Sequence, residues 1–302
     1  MAERRNIMLT VAYDGTDFYG FQSQAGTGLP TVQESLEAAI FRLTGQKTAV
    51  EGSGRTDTGV HAWGQVVHFF ADSAIPPERW KLALAAHLPA SITVRDSRPA
   101  PPGFHARFAA KEKTYVYQFY LGPLPSPFYR RYACHVPYAL DLPAMREAAA
   151  YFEGSRDFRA FCAAGAKVKS FVRRIFSCRL LVAGEETAKL GGGMGLAAAA
   201  AVGAGTAGAG ASAAAVGAGV AAPAGEETAF ACFAGDGSLL RLWIRGDGFL
   251  WNMVRIIAGT LLEVGAGKRQ AGDIPGLLES GDRRLTGITL PPQGLFLYKV
   301  DY

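Results

Sequence analysis

The sequence predicts an α+β protein made of two similar halves, each a largely antiparallel sheet with helices on one face. In the first half of the 302-residue chain, strand and helix patterns follow in the order strand, helix, strand, strand, helix, strand. The second half also interleaves strands with two main helices, and the stretch Ala100–Gly103 resembles a linker between them. This order fits two α+β halves, residues 1–103 and 104–302, better than one parallel Rossmann sheet.

Apolar periodicity and turn residues place the elements of the first half. Thr31 and Glu34 form a capping-box pattern at the start of a helix, and Gly45 is typical of a helix end. The predicted elements are strands at Ile7–Tyr13, Ala49–Ser53, Gln65–Ala71 and around Ile92 and Val94, a helix from Thr31 to Gly45, and a helix opened by Pro76 and Pro77 that carries Trp80, Leu84 and Leu88.

The second half contains a long apolar helix pattern whose buried stripe is Met253, Ile257, Leu261 and Val264. The other predicted elements are strands at Thr114–Leu121, Arg173–Val182, Thr228–Ala234, Ser238–Arg245 and Phe296–Tyr302, and helices at Leu142–Phe152 and Phe249–Val264.

Composition bounds the class of protein. The chain has 31 Lys and Arg against 26 Asp and Glu, a net charge of +5, and 49% hydrophobic residues, which excludes a disordered tail, a collagen or a small disulfide scaffold. Its four cysteines form no CxxC pair and are expected to be reduced, mostly buried thiols. With no signal-peptide pattern at the N-terminus, we expect a cytoplasmic protein.

An alanine- and glycine-rich stretch at about 188–226 interrupts the second half. Its central 36 residues, Leu190–Gly225, hold 16 Ala, 11 Gly and no charged residue. Gly in a helix interior is unfavourable, so this composition predicts a flexible surface loop rather than a membrane span. Gly203, Gly205 and Gly208 match the G-x-G-x-x-G dinucleotide pattern, but no hydrophobic strand precedes them and a chance match is expected.

The loop from Gly52 to Ala62 is the most informative stretch for locating catalytic groups. Its glycines permit unusual backbone geometry, and between them lie one cation, Arg55, and one carboxylate, Asp57. Asp57 could equally be an Asx-turn residue in a glycine loop.

Two residues of the second half are further candidates for the functional site. Tyr115 follows Lys111 and Lys113 and is either an active-site group or a half-buried strand tyrosine. Arg255 interrupts an apolar helix, so it either pairs with a buried anion or extends to solvent.

The motif series of the chain resembles that of the TruA-type tRNA pseudouridine synthases, the tRNA pseudouridine(38-40) synthases. The resemblance runs in family order from near residue 7 to the end of the chain, the alanine- and glycine-rich stretch excepted. The motifs are Tyr13–Gln22 (YDGTDFYGFQ), Gly54–Ala62 (GRTDTGVHA), Phe104–Arg107 (FHAR), Lys113–Tyr117 (KTYVY), Asp157–Phe161 (DFRAF), Phe249–Arg255 (FLWNMVR) and Gly294–Leu297 (GLFL).

The resemblance implies a pseudouridine synthase fold in which the two halves flank a central RNA-binding cleft. It places Asp57 at the catalytic nucleophile, Arg255 at the arginine paired with it, and Tyr115 at the tyrosine that stacks on the target base, with help in proton transfer at C5 as a second implied role. Arg55 matches the arginine that helps to replace the flipped nucleotide, and Leu295 an apolar wall of the pocket. Intact motifs in this series favour an active enzyme.

The implied substrate is tRNA, isomerised at uridines 38, 39 and 40 of the anticodon stem-loop by a homodimer. No metal, organic cofactor or membrane is implied, so His61 and His68 are expected to be structural or phosphate-facing. Cationic residues are candidates for backbone contact, and a non-catalytic tRNA-binding or folding module remains the alternative function. The substrate-contact candidates are Arg55, Thr56, Arg107, Lys111, Lys113, Tyr115 and Leu295, with wider cationic clusters at Arg130, Arg131, Lys167, Lys169, Arg173 and Arg174.

Overall fold

The structure is a computed structural model that describes residues 4–23, 28–166, 168–183 and 238–302. The predicted strand Thr228–Ala234, the alanine- and glycine-rich stretch and Lys167 lie outside the described residues. Within them the fold is α+β, as predicted.

The described strands and helices follow the predicted order closely. The strands are β1 (Arg5–Tyr13), β2 (Glu51–Gly52), β3 (His61–Ala71), β4 (Ile92–Pro99), β5 (Glu112–Leu121), β6 (Cys134–Val136), β7 (Gly154–Asp157), β8 (Val172–Val182), β9 (Ser238–Gly246) and β10 (Leu295–Asp301). The helices are α1 (Val32–Thr44), α2 (Trp80–Ala85), α3 (Leu142–Ala150), α4 (Met253–Gly265) and α5 (Ile274–Ser280), with short 3₁₀ turns between some of them.

One mostly antiparallel sheet runs through the described chain. Its strand order is β4-β1-β3-β10-β5-β9-β8-β7, with β2 paired to β3 and β6 to β5. The strand β10 joins the first-half strands to the second-half strands, because it pairs in parallel with β3 and antiparallel with β5. The parallel pairing is short, comprising Phe296 opposite His61 and Leu297 opposite Ala62.

Helix α1 begins and ends where its sequence signals predict. Thr31 caps it by accepting a hydrogen bond from Glu34 N, while the Glu34 side chain accepts one from Thr31 N, and Gly45 ends the helix in the left-handed region at φ 70°.

Two helix boundaries were predicted wrongly. The long apolar helix begins at Met253 rather than Phe249, because Asn252 takes up a left-handed φ of 59° that α-helical hydrogen bonding cannot continue through. The helix expected after Pro76 is a 3₁₀ turn at Pro77–Arg79 followed by α2, which ends at Ala85 and so excludes Leu88.

One large hydrophobic core includes buried side chains from both halves of the chain, and Tyr120, Ala133 and Leu239 form a second, small cluster. Both faces of β5 are buried, since Thr114 to Tyr120 are all nearly inaccessible to solvent. Cys162 and Cys178 are buried free thiols, as expected, and Cys134 is half-buried. Within the described ranges, the helices all lack either the length or the apolar character that a bilayer span requires.

Candidate active site

A buried glutamine, Gln65, fixes the start of the loop between β2 and β3. The Ser53 hydroxyl donates to Gln65 Oε1 over 2.6 Å, and Gln65 Nε2 donates to the Gly54 carbonyl over 2.9 Å. Ser53 and Gln65 are both fully buried. Because each amide atom of Gln65 has its own partner, the first turn of the loop has one defined position.

Thr56 is held in place by two residues of the Tyr13–Gln22 motif. Its hydroxyl and the Tyr13 hydroxyl are 2.8 Å apart, and its carbonyl accepts a hydrogen bond of 3.1 Å from Phe21 N. Thr56 is only 6% exposed. This predicted substrate contact therefore has its hydroxyl committed to Tyr13, which makes it a support of the loop in this structure.

A glycine in the motif Tyr13–Gln22 lets this packing occur. Gly20 has a φ of +80°, and a Cβ built on it would lie 2.4 Å from the Thr56 carbonyl oxygen. Only glycine meets both the backbone geometry and the close approach.

Asp57 lies at the exposed end of the loop, and its side chain is 39% accessible. The turn that contains it is closed by Val60 N, which donates to the backbone carbonyl of Asp57 over 3.1 Å. The turn therefore uses the backbone of Asp57, and its carboxylate faces a different partner. That partner favours the functional interpretation of Asp57 over the Asx-turn alternative.

Arg255 brings the second half of the chain to this carboxylate. Its Nη1 lies 4.0 Å from Asp57 Oδ2, and its side chain is 14% exposed. The guanidinium also donates from Nε to the Leu290 carbonyl over 2.6 Å and from Nη1 to Asn252 Oδ1 over 2.8 Å. The guanidinium therefore lies within ion-pair distance of Asp57, which is the arrangement expected from the first of the two sequence-based alternatives for Arg255.

The environment of Asp57 opposes its ionisation. Burial raises the pKa of the Asp57 carboxyl above its ordinary value, while the charge of Arg255 and hydrogen bonding from the Trp251 side chain partly offset this. The Trp251 side chain is half exposed beside the pair. Sequence reasoning missed Trp251, because an indole in an apolar helix pattern gives no signal that its N–H faces a carboxylate.

Tyr115, on β5, lies close to Asp57 and is 8% exposed. Its ring meets that of Phe249 edge-on at 5.0 Å between centroids. Burial, and then the nearby Tyr13 and Asp57, raise the pKa of the Tyr115 phenol well above its ordinary value. The hydroxyl is therefore protonated at neutral pH.

Leu295 opens β10 beside these groups. It is 6% exposed and lies opposite Tyr117 in the antiparallel pair, while Leu297 lies opposite Tyr115. Side chains two residues apart on a strand share a face, so Leu295 and Leu297 extend one apolar surface along the tyrosine strand.

Lys113 connects the tyrosine strand to the loop. Its Nζ donates to the Ser53 carbonyl over 2.7 Å, and a Cβ built on Gly54 would lie 2.8 Å from the same Nζ. Burial, and to a smaller extent the charge of Arg107, lower the pKa of Lys113 to about 8. The other predicted cations, Arg55, Arg107 and Lys111, are exposed.

The two histidines of β3 are buried and bonded to protein groups. His61 Nδ1 accepts from Gly15 N over 3.0 Å and lies 3.2 Å from Asp14 Oδ1, while its Nε2 is 2.8 Å from the Arg131 carbonyl. His68 Nδ1 accepts from Ala106 N over 3.3 Å. Both contacts support a structural role. In the described part of the chain, no group of three or more His, Cys, Asp or Glu side chains is arranged to hold a metal ion.

Comparison with known proteins identifies the class of this protein as an RNA-modifying isomerase. A family profile described as tRNA pseudouridine synthase matches residues 9–109 and 148–302, and the chain belongs to this family.

Curated relatives align along nearly the whole chain. The protein named tRNA pseudouridine synthase A from Caldicellulosiruptor bescii is 38% identical over 298 residues, which cover 99% of this chain and 100% of the relative. The protein of that name from a Geobacillus species is 38% identical over 299 residues, covering 99% and 98% of the two chains. The one from Shouchella clausii is 40% identical over 293 residues, covering 97% and 91%.

Proposed function

We propose that this tRNA pseudouridine synthase isomerises uridines 38, 39 and 40 in the anticodon stem-loop of tRNAs. The observation that carries the proposal is the pairing of Asp57 with Arg255, whose Oδ2 and Nη1 atoms are 4.0 Å apart. The pair joins two motifs that are far apart in the sequence, Gly54–Ala62 and Phe249–Arg255, and the carboxylate is still 39% accessible to a substrate.

The reaction needs a nucleophile and a means of turning a base. The N1–C1′ glycosidic bond of uridine breaks, the uracil turns, a C5–C1′ bond forms, the C5 proton leaves, and N1 takes up a proton. In our proposal Asp57 supplies the carboxylate, by attack at C1′, by attack at C6, or by assisting a glycal intermediate. Each route requires an ionised Asp57, so the cationic neighbour is part of the machinery.

Arg255 orients this carboxylate and compensates part of the burial that opposes its ionisation. Its other hydrogen bonds, to Leu290 and Asn252, fix the guanidinium plane before substrate arrives. A preorganised donor of this kind costs no reorganisation during the reaction.

Tyr115 serves as the surface on which the target base stacks. Its raised pKa keeps the phenol of the free enzyme protonated, so little phenolate is present to remove the C5 proton, which favours stacking as the main contribution of Tyr115. Leu295 continues the apolar wall from β10.

The target uridine must leave the base stack to reach Asp57. Arg55, exposed beside Asp57 in the loop, is placed to occupy the space that the nucleotide leaves. Lys111, Lys113 and Arg107 would contact the tRNA backbone.

The same proposal includes the organisation of the whole protein. Residues 1–103 contribute Asp57 and residues 104–302 contribute Tyr115 and Arg255, so the two halves flank the cleft that receives the RNA. A homodimer would dock one tRNA across both subunits in the cytoplasm.

The test compares wild type with Asp57→Asn and Asp57→Ala on purified tRNA. Pseudouridine mapping should find modification at positions 38 to 40 with wild type alone, while fluorescence anisotropy shows that both variants still bind tRNA. Asp96→Asn, an exposed carboxylate on β4, is the matched control and should modify tRNA like wild type.

Equal modification by wild type and Asp57→Ala would refute the mechanism. Absence of modification by wild type on any tRNA, with binding intact, would favour the non-catalytic binding module instead.

A further inference from the structure

A row of aromatic rings leads from the sheet to solvent near the Phe104–Arg107 motif. His68 lies 4.7 Å from His105 between ring centroids, and His105 lies 4.3 Å from Phe108 at an interplanar angle of 34°. His68 also meets Phe70 at 6.0 Å. We call Phe70, His68, His105 and Phe108 the aromatic row.

The aromatic row is buried in its middle and exposed at its ends. His68 is 3% exposed, whereas Phe70 is 44% and Phe108 is 77% exposed. A single exposed apolar residue needs no explanation. Here, however, the two exposed rings belong to one connected set of rings, so their exposure calls for a common explanation.

The loop that carries Phe108 is held firmly, although the ring itself is in solvent. The Tyr302 hydroxyl donates to the Ala106 carbonyl over 2.8 Å, and Ala106 N donates to His68. Ala109 N donates to the His105 carbonyl over 3.0 Å. A ring on such a loop is fixed in advance, which lowers the entropic cost of binding to it.

Each exposed ring is accompanied by a guanidinium. Arg4 Cζ lies 5.2 Å from the centre of the Phe70 ring, and Arg107 Cζ lies 5.8 Å from that of Phe108. Aromatic rings next to cations are the pattern of surfaces that bind single-stranded nucleic acid, where bases stack on the rings and the cations meet phosphates.

This surface is continuous with the proposed catalytic site. Arg107 lies near enough to Lys113 to influence its protonation, and Lys113 bonds Ser53 at the start of the loop that carries Asp57. A nucleotide next to a uridine held at Asp57 would therefore be carried toward Phe108.

We propose that Phe108, backed by His105, is a stacking site for an unpaired nucleobase of the tRNA that neighbours the target uridine. The proposal rests on the proposed function and adds a second contact point for the RNA, outside the pocket of the reacting base.

A second copy of this chain could also cover an exposed phenylalanine. Charge argues for RNA, because two like copies would place guanidinium groups against each other. Among the nearby acids, Glu112 is paired with Arg245 at 2.7 Å and Asp301 with Lys299 at 2.5 Å. Glu51 lies opposite His68 in the pairing of β2 with β3. The guanidinium groups of Arg4 and Arg107 lie instead beside the two exposed rings, where phosphate would meet them.

The experiment measures binding of a labelled anticodon stem-loop RNA by fluorescence anisotropy at several salt concentrations. Phe108→Ala should raise Kd about ten-fold, the scale of one lost base–aromatic stack, with the salt slope unchanged. Phe108→Trp should restore binding. Arg107→Gln should instead reduce the salt slope by about one. Leu82→Ala, which removes another exposed apolar side chain, 61% exposed on α2, is the matched control.

A second readout identifies the base. 2-Aminopurine placed in turn at each unpaired loop position should show one position whose fluorescence differs between wild type and Phe108→Ala. The Phe108→Ala enzyme should still form pseudouridine at saturating RNA.

Three results would overturn the proposal. One is an unchanged Kd for Phe108→Ala when wild type modifies the RNA. Another is failure of Phe108→Trp to bind the RNA more tightly than Phe108→Ala does. The last is conversion of a dimer to monomers by Phe108→Ala in sedimentation, which would assign the ring to a subunit interface. Failure of the proposed function is seen separately, as wild type that binds the RNA without modifying it.

Discussion

Arg255 Nη1 contacts two oxygen atoms at different distances, lying 2.8 Å from Asn252 Oδ1 and 4.0 Å from Asp57 Oδ2. The guanidinium is thus held more closely by Asn252, the residue at the N-cap position of its own helix, than by the carboxylate. Asn252 can do this because its left-handed backbone turns the chain into α4. The pair depends on the geometry of a helix end as well as on opposite charge.

Arg255→Lys should lower the single-turnover rate about 100-fold and Arg255→Gln about 1,000-fold, the range seen when a preorganised donor is removed. Lysine keeps the charge, but one ammonium lacks the planar fork that reaches Leu290, Asn252 and Asp57 together. Arg269→Lys, an arginine paired with Glu263 at 3.0 Å, is the matched control and should retain wild-type rates. A wild-type rate for Arg255→Gln would remove Arg255 from the machinery.

Gly20→Ala should inactivate the enzyme more than it destabilises the fold. Alanine there meets the Thr56 carbonyl at 2.4 Å and must displace the loop that carries Asp57. A displacement of about 1 Å can cost about 100-fold in rate. The measurement pairs the single-turnover rate with the melting temperature.

Gly45→Ala is the control for Gly20→Ala. Its φ of +70° imposes similar backbone strain, about 1–2 kcal/mol, but a Cβ there has no heavy atom within 4 Å among the described residues. It should lower the melting temperature with the rate intact. Equal loss of rate in both variants would show that general destabilisation explains the effect.

Binding of tRNA should weaken several-fold between pH 7 and pH 9 as Lys113 loses its proton. The pKa of Lys113 is lowered to about 8, so its charge is present below that pH and lost as pH rises through it. Lys113→Gln should bind more weakly at pH 7 and show a flatter profile, measured by anisotropy at constant ionic strength. Lys81→Gln on α2 should keep the wild-type profile; if Lys113→Gln does too, Lys113 does not contact the RNA.

Asp57→Asn should be more stable than wild type at neutral pH. The folded state raises the pKa of Asp57 above its ordinary 3.8, so the unfolded chain loses this proton first as pH increases. Stability therefore falls as pH rises through the window above 3.8, and asparagine removes that loss.

The difference in melting temperature between Asp57→Asn and wild type should shrink as pH falls toward 3.8. A lower melting temperature for Asp57→Asn at neutral pH would contradict the assigned direction of the shift.

Much of the fold could be predicted from local sequence signals. The caps of α1 depend on residues within the helix and its flanks, and the alternation of apolar residues in β9 is visible in a short window. The start of α4 could not, because periodicity continues through Phe249–Asn252 while the backbone does not.

Some features of the site could likewise be predicted from the sequence, and others could not. Asp57, Tyr115 and Arg255 lie in distinctive motifs, and the structure brings all three together. Two other features depend on contacts between distant segments. They are the hydrogen bond between the Thr56 and Tyr13 hydroxyls and the placement of Trp251 beside Asp57. Such contacts leave no period or spacing in a single sequence.

The short parallel pairing between β3 and β10 has a consequence for synthesis of the chain on the ribosome. Every other described strand precedes β10, yet only β10 closes the gap between β3 and β5. Until it emerges, the parts of these two edges that β2 and β6 do not cover are open and could pair with other chains, the usual route to β aggregation. Speed of release, or protection by a chaperone at that stage, should therefore govern the yield of this enzyme more than the stability of the finished protein does.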